Sequence, residues 1–198
     1  MTTKALMLGL CLWATSSLAE GESKNVLALP TTWKDEAGAP VTLERFKGRW
    51  YALTFIYTSC AGSCPLTTRK LKRLDAALEQ AGTPLDLVVV SLDPAHDTPP
   101  MLKQYRERYG IEGAKRWRIL VGDDAQVRTL TMLLEFKYTK NPESGVIMHD
   151  NTVYLVGPDG AVNTSMSSLD QPMEAFVAAV SAAAAPKRRA PAPRAPSR

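Results

Sequence analysis

WYALTFIYTSCAGSCPLTTRKLKRL, residues 50–74, holds the transition that decides the fold. Trp50 to Tyr57 is a continuous apolar and aromatic run after the Gly48 turn, the pattern of a strand buried on both faces. Past the cysteines the periodicity changes. Pro65 suits the first turn of a helix, and Leu71, Leu74 and Leu78 recur at helical spacing with Arg69, Lys70, Lys72 and Arg73 facing outward. Gly82-Thr83-Pro84 stops that helix. Cys60 and Cys64 therefore lie between the end of a buried strand and the start of its helix.

Downstream, the alternation continues. Leu85 to Leu92 reads as a second buried strand, and Asp97-Thr98-Pro99-Pro100 opens a helix to Tyr109-Gly110 with Thr98 as its cap. Trp117 to Val121 reads as a third strand and Asp123 or Asp124 to Glu135 as a short helix. Val146-Ile147 with Thr152 to Val156 form a fourth strand segment, turned at Gly157-Pro158-Asp159-Gly160 into Ala161 to Ser165. Asp170 to Ala185 closes the chain as a helix, capped by Asp170 with Pro172 in its first turn. Upstream, Val26 to Leu29 and Val41 to Leu43 are short β-type fragments that point to an N-terminal hairpin or arm. This order predicts an α/β fold: a central mixed sheet with parallel crossovers and an antiparallel edge, an N-terminal β extension and a C-terminal helix. In open sheets of this kind, sites form beyond the carboxyl ends of the strands, which is where the two cysteines fall.

Both ends of the 198-residue chain separate from that domain. Residues 1–19 have the parts of a secretory signal: Lys4, an apolar run from Ala5 to Ala14, and the small-residue site Ser17-Leu18-Ala19 before Glu20. The run is well short of the roughly 20 residues that span a bilayer, so cleavage after Ala19 and a periplasmic location are expected, with no membrane span in the mature form. From Ala182 to Arg198 the chain is almost wholly Ala, Pro and Arg, which cannot repay the entropy of ordering and reads as a disordered basic tail. The domain proper is then 20–181. Lys4 and the five cations of the tail explain the net charge of +4, because residues 20–185 carry 18 basic against 20 acidic side chains. The basic tail reads as a solvated segment, and nothing in the charge pattern argues for nucleic acid.

Without Cys11 in the signal, only Cys60 and Cys64 remain. Their spacing places both sulfurs on one side of a helical turn, and a helix N-terminus lowers thiol pKa and favours thiolate. A structural disulfide here would close a very small loop and stabilise little. Two active readings stay open. A dithiol oxidoreductase of the thioredoxin type uses Cys-x-x-Cys, one residue fewer than here, while two thiolates joined by an imidazole make a soft, low-coordinate site suited to copper, Cu(I) in particular. The sequence offers two histidines, His96 in SLDPAHDTPP and His149 in IMHDNTVYLVGPDG. His96 reads as a solvent-facing or hydrogen-bonding residue.

TFIYTSCAGSCPLTTRKLKRL, SLDPAHDTP and HDNTVYLVGPDG, in this order, resemble the signature blocks of the Sco/SenC family of copper-binding thioredoxin-fold proteins, over about residues 40 to 180. Cys60, Cys64 and Pro65 match its CxxxCP motif; Asp93, Pro94, Asp97 and Thr98 match its second block; His149 stands where the family has its copper histidine, five residues before Tyr154-Leu155. The resemblance implies a thioredoxin-like fold and copper ligation by Cys60, Cys64 and His149, as Cu(I), Cu(II) or both. Asp93 or Asp97 is expected to orient the ligands from outside, with Asp97 alternatively only helping to open a helix. The implied task is to deliver copper to the binuclear copper site of cytochrome c oxidase, or to reduce that site's cysteines. The oxidase's copper-site subunit or another copper protein is then the partner. The alternative is a thiol-disulfide oxidoreductase using the Cys60/Cys64 couple. Two positions depart from the family pattern: Ala61 replaces a common proline and Met148 a common acidic residue. Met148, beside an apolar strand, reads as core packing.

Overall fold

A computed structural model of the chain describes residues 24–60, 64–167 and 172–184, with Cys64 described by its backbone alone. The expected signal at residues 1–19, the expected cap at Asp170 and the tail beyond Ala184 lie outside the described residues. The run that begins at Trp50 forms β3 (Tyr51–Ile56), every residue of which is buried. It continues through the cysteine loop into α1 (Cys64–Gln80), whose Leu71, Leu74 and Leu78 are buried as their spacing requires. Next come β4 (Asp86–Ser91), α2 (Pro99–Tyr109), β5 (Trp117–Leu120) and α3 (Asp124–Leu134). The hairpin β8 (Val153–Val156) and β9 (Val162–Met166) and the helix α4 (Met173–Ala184) end the described chain.

The central sheet has the order β5-β4-β3-β8-β9. β3, β4 and β5 run parallel, and β8 and β9 add an antiparallel edge, with Leu53 opposite Val88 on one side and Tyr154 on the other. Because β3 is central in the sheet and side chains on both its faces are buried, alternation is lost and the strand reads as unbroken apolar sequence. Two helix ends follow the expected chemistry. Asp123 caps α3, its carboxylate accepting from the Gln126 amide while the Gln126 side chain accepts from the Asp123 amide. Gly110 ends α2 in the left-handed conformation, φ 59°.

Three local expectations are corrected. Val26 to Leu29 is no strand: Val26–Ala28 forms a single 3-10 turn, because the Asn25 side chain accepts from the Leu27 amide and holds the chain curled. The N-terminal hairpin instead pairs β1 (Thr32–Lys34) with β2 (Pro40–Thr42), and reciprocal bonds between Lys34 and Val121 attach it beyond β5. Thr98 stands at the N-cap of α2, but its hydroxyl makes no capping bond; Pro99 in the first turn has no N–H to satisfy.

The third correction positions the site. Val146 to Val156 is not one strand segment. β7 (Ile147–His149) pairs with β6 (Tyr138–Lys140) in a separate two-stranded ribbon, and only from Val153 does the chain enter the central sheet. The Asp150 amide donates to the Lys137 carbonyl at 3.0 Å and closes the ribbon; the Thr152 carbonyl accepts from the Thr54 hydroxyl at 2.8 Å and attaches the following residues to β3. Among the described residues no helix is long and apolar enough to cross a membrane.

Candidate metal centre

Cys60 follows β3 on the loop Tyr57–Cys60, with its amide donating to the Tyr57 carbonyl at 3.3 Å and its side chain buried, 8 % exposed. Asp97 fixes the loop. The Thr58 amide donates to Asp97 Oδ2 at 3.0 Å, the Thr58 hydroxyl to Oδ1 at 2.5 Å, and the Ser91 hydroxyl to Oδ2 at 2.5 Å. One buried carboxylate thus joins the end of β4 to the residues just before Cys60. Burial pushes the Asp97 carboxyl above the ordinary aspartate range, against those hydrogen bonds, and the nearby Asp93 charge adds to the rise. Cys64 is the first residue of α1, so its backbone lies at the positive end of that helix.

His149 is the last residue of β7. Its ring lies edge-on to Tyr57, centroids 5.9 Å apart at 80°, and near-parallel to Phe136 at 6.0 Å. Tyr57 is three residues before Cys60, so the ribbon brings His149 to the cysteine loop from a distant part of the chain. Nδ1 faces the Asp150 carbonyl at 2.6 Å. A carbonyl only accepts, so Nδ1 carries the hydrogen and the neutral ring keeps its lone pair on Nε2. This is the tautomer in which Nε2 can ligate a metal, and the carbonyl serves as the outer partner that metal-binding histidines use. On the far side, the Thr67 hydroxyl in the first turn of α1 bonds Asn151 Oδ1 at 3.2 Å, tying the helix carrying Cys64 to the segment after His149.

Asp93 lies beside this cluster, 2 % exposed, at the turn after β4. It accepts from Lys140 Nζ at 2.7 Å and faces His96 Nδ1 at 2.9 Å through both oxygens. His96 is otherwise open to solvent, as a hydrogen-bonding rim residue should be. Burial alone pushes the Asp93 carboxyl up, but the hydrogen bonds and charges of Lys140 and His96 outweigh it and hold it below the ordinary range. A depressed carboxyl contributes stability that is present above the ordinary value of 3.8 and is lost as pH falls through the folded-state value. Asp93→Asn should therefore be less stable than the parent at neutral pH and show a flatter acid limb, so that the two unfolding midpoints converge under acid. Urea melts at a series of pH values test this; parallel curves would contradict it.

The structure thus places Cys60, the α1 start at Cys64 and Asp97 at one end of the sheet, with His149 against Tyr57 and Asp93 reaching the ribbon through Lys140; among the described residues no three His, Cys, Asp or Glu side chains group closely enough to hold a metal ion. Sequence reasoning missed Tyr57 and Phe136 as the walls around His149, and Lys140 altogether, because the short strand β6 carries no strand pattern of its own. Met148 corrects another expectation: it is 75 % exposed and so is not core packing. Strand residues alternate faces, and with Ile147 buried and His149 turned toward Tyr57, Met148 must point away from them.

The chain resembles known proteins along most of its length. The SCO1/SenC family model matches residues 21–185. The SCO1 protein homolog of Bacillus subtilis is 32 % identical over 135 residues, 67 % of this chain and 69 % of that protein. Among solved structures, BsSco, described as a member of the Sco family of cytochrome c oxidase assembly proteins, superposes with a TM-score of 0.69 at 27 % identity, covering 82 % of this chain and 95 % of its own. The copper-bound ScoI of Bradyrhizobium japonicum shares the fold with a TM-score of 0.65 at 23 % identity, over 78 % of this chain and 98 % of its own. The mixed α/β sheet is therefore the thioredoxin-like fold of these proteins. Sequence match, sheet order and strand-end cysteine loop agree, and the chain belongs to the SCO1/SenC family.

Proposed function

We propose that this protein is an exported copper chaperone that holds copper through Cys60, Cys64 and His149 and delivers it to the binuclear copper site of cytochrome c oxidase. The observation that carries the reading is the placement of His149 against Tyr57, with Nδ1 bonded to the Asp150 carbonyl. That arrangement puts the lone pair of the neutral imidazole on Nε2, on a ring packed against Tyr57, three residues before the buried Cys60. Two thiolates and an imidazole suit soft copper, and few ligands leave room for a recipient's ligand to enter during transfer. The copper-bound Sco structures and the oxidase-assembly description of BsSco support the same reading. The signal-like residues 1–19 and a periplasmic site of action belong to it.

In the alternative, a thiol-disulfide exchange enzyme, an accessible thiolate must attack a partner's disulfide. The Cys60/Cys64 spacing, one residue longer than the Cys-x-x-Cys of thioredoxin-type oxidoreductases, favours the metal-holding role. A copper titration of the reduced protein beside His149→Ala separates the two. Loss of a ligand should weaken copper binding by at least about a hundredfold, beyond the usual effect of an outer-sphere change. Copper binding unchanged in His149→Ala, together with rapid exchange of the Cys60/Cys64 couple with disulfide substrates, would replace the chaperone by the exchange enzyme.

A further inference from the structure

The ribbon that carries His149 is not hydrogen-bonded into the central sheet. Its own stitching is good: Tyr138 pairs His149, Thr139 pairs Met148 and Lys140 pairs Ile147, with Asp150 to Lys137 closing one end and Asn141 to Val146 the other. Stitched to itself rather than to the central sheet, the ribbon is positioned by the contacts of its inner face, and His149 with it. Period-two alternation puts Tyr138, Lys140, Ile147 and His149 on that face and Thr139 and Met148 on the other, consistent with Ile147 at 3 % and Met148 at 75 % exposure. At the His149 end the fastening is aromatic, through Tyr57 and Phe136. At the other end it is Ile147 and the 2.7 Å bond from Lys140 to Asp93.

Asp93 is a fixed point. Its amide donates to the Ser91 hydroxyl at 3.0 Å, and its carbonyl accepts from the amides of His96 at 3.0 Å and Asp97 at 2.8 Å. Asp97 in turn holds Thr58 and the Cys60 loop. Lys140 therefore references the His149 ribbon to the same turn that references Cys60.

We infer that Lys140, through its bond to buried Asp93, is a positioning residue that sets His149 at the distance and angle the cysteine loop requires. The inference rests on the proposed copper role of His149. A neutral side chain of similar length keeps the packing of the stem but lets the ribbon tilt.

The test is a double-mutant cycle on copper affinity, read by competition with a chromophoric copper(I) chelator, joined to amide hydrogen exchange of the copper-free protein. Lys140→Met should weaken copper about tenfold or more, the range seen when an outer partner of a metal ligand is lost. Lys140→Arg, which keeps the cation, should restore most of the affinity. In a His149→Ala background Lys140→Met should change copper affinity no further, whereas a general loosening of the fold would weaken both backgrounds alike. In the copper-free protein, Lys140→Met should speed exchange of the Asp150 and Asn141 amides of the ribbon while leaving β3 and β4 protected. Copper affinity unchanged in Lys140→Met, or lowered equally with and without His149, overturns the inference. If His149→Ala itself leaves copper binding intact, the copper reading falls and this inference with it.

Discussion

Asp97→Ala should destabilise the protein by about 2–4 kcal/mol and should also weaken copper binding, because one carboxylate serves both the fold and the cysteine loop. Its removal leaves the buried Thr58 amide without its acceptor and the hydroxyls of Thr58 and Ser91 without theirs. A buried donor with no partner costs about 1–3 kcal/mol, and the hydroxyls can recover part of this by rotating. The amide cannot rotate. Thr58 is two residues before Cys60, so the loop that carries the first thiol should sample other positions. Denaturant melts and copper competition on the same variant check the pair of effects. Lost stability with unaltered copper affinity would show that the loop is held by its other contacts. Asp97→Asn should recover part of the loss, since its amide oxygen can accept from the Thr58 amide and the Ser91 hydroxyl while its nitrogen donates to the Thr58 hydroxyl, which turns to accept.

Arg106→Met should cost about 3–5 kcal/mol, the usual penalty for breaking a buried charged network from one side. Arg106 has its side chain 8 % exposed on α2 and donates to the carbonyls of Ile111, Glu112, Ala114 and Trp117 at 2.9 to 3.2 Å. It also pairs with Glu36 Oε1 at 3.1 Å. A single guanidinium thus satisfies the connection that leads from α2 into β5 and ties in the turn of the β1–β2 hairpin. Its loss would strand those carbonyls and leave Glu36, whose second oxygen is already buried without a partner among the described residues, as an uncompensated charge. Lysine recovers only part of this, because one ammonium cannot copy the planar fork. Arg106 lies far along α2 from the cysteine loop, so copper affinity of the folded variant should match the parent. The contrast with Asp97→Ala separates a contact that supports the whole fold from one that also aims a ligand.

The two variants bear on how the site is built. Cys60, Asp97, Asp93 and His149 come from three segments, each ending near the carboxyl edge of the sheet or in the ribbon beside it. The parallel strands bring the first two segments together by necessity, since β3 and β4 pair in register from Tyr51 with Asp86 to Ile56 with Ser91. The third arrives differently, on a ribbon outside that sheet, and so depends on side-chain fastening.

From sequence alone, the strand-to-helix transition at residues 50–74, the α/β order and the strand-end position of Cys60 were legible, because burial on both faces leaves an unbroken apolar run and a helix leaves a period near four. The quoted blocks also pointed to Cys60, Cys64, His149, Asp93 and Asp97 as the residues to weigh. Tertiary structure alone decided what surrounds them. Lys140 and Phe136 gain their meaning from contacts with Asp93 and His149 that are distant in sequence, and a three-residue strand such as β6 is too short to leave a period. The exposure of Met148 was likewise hidden, since a methionine beside apolar neighbours looks the same inside and outside until the register of β7 fixes which face it takes.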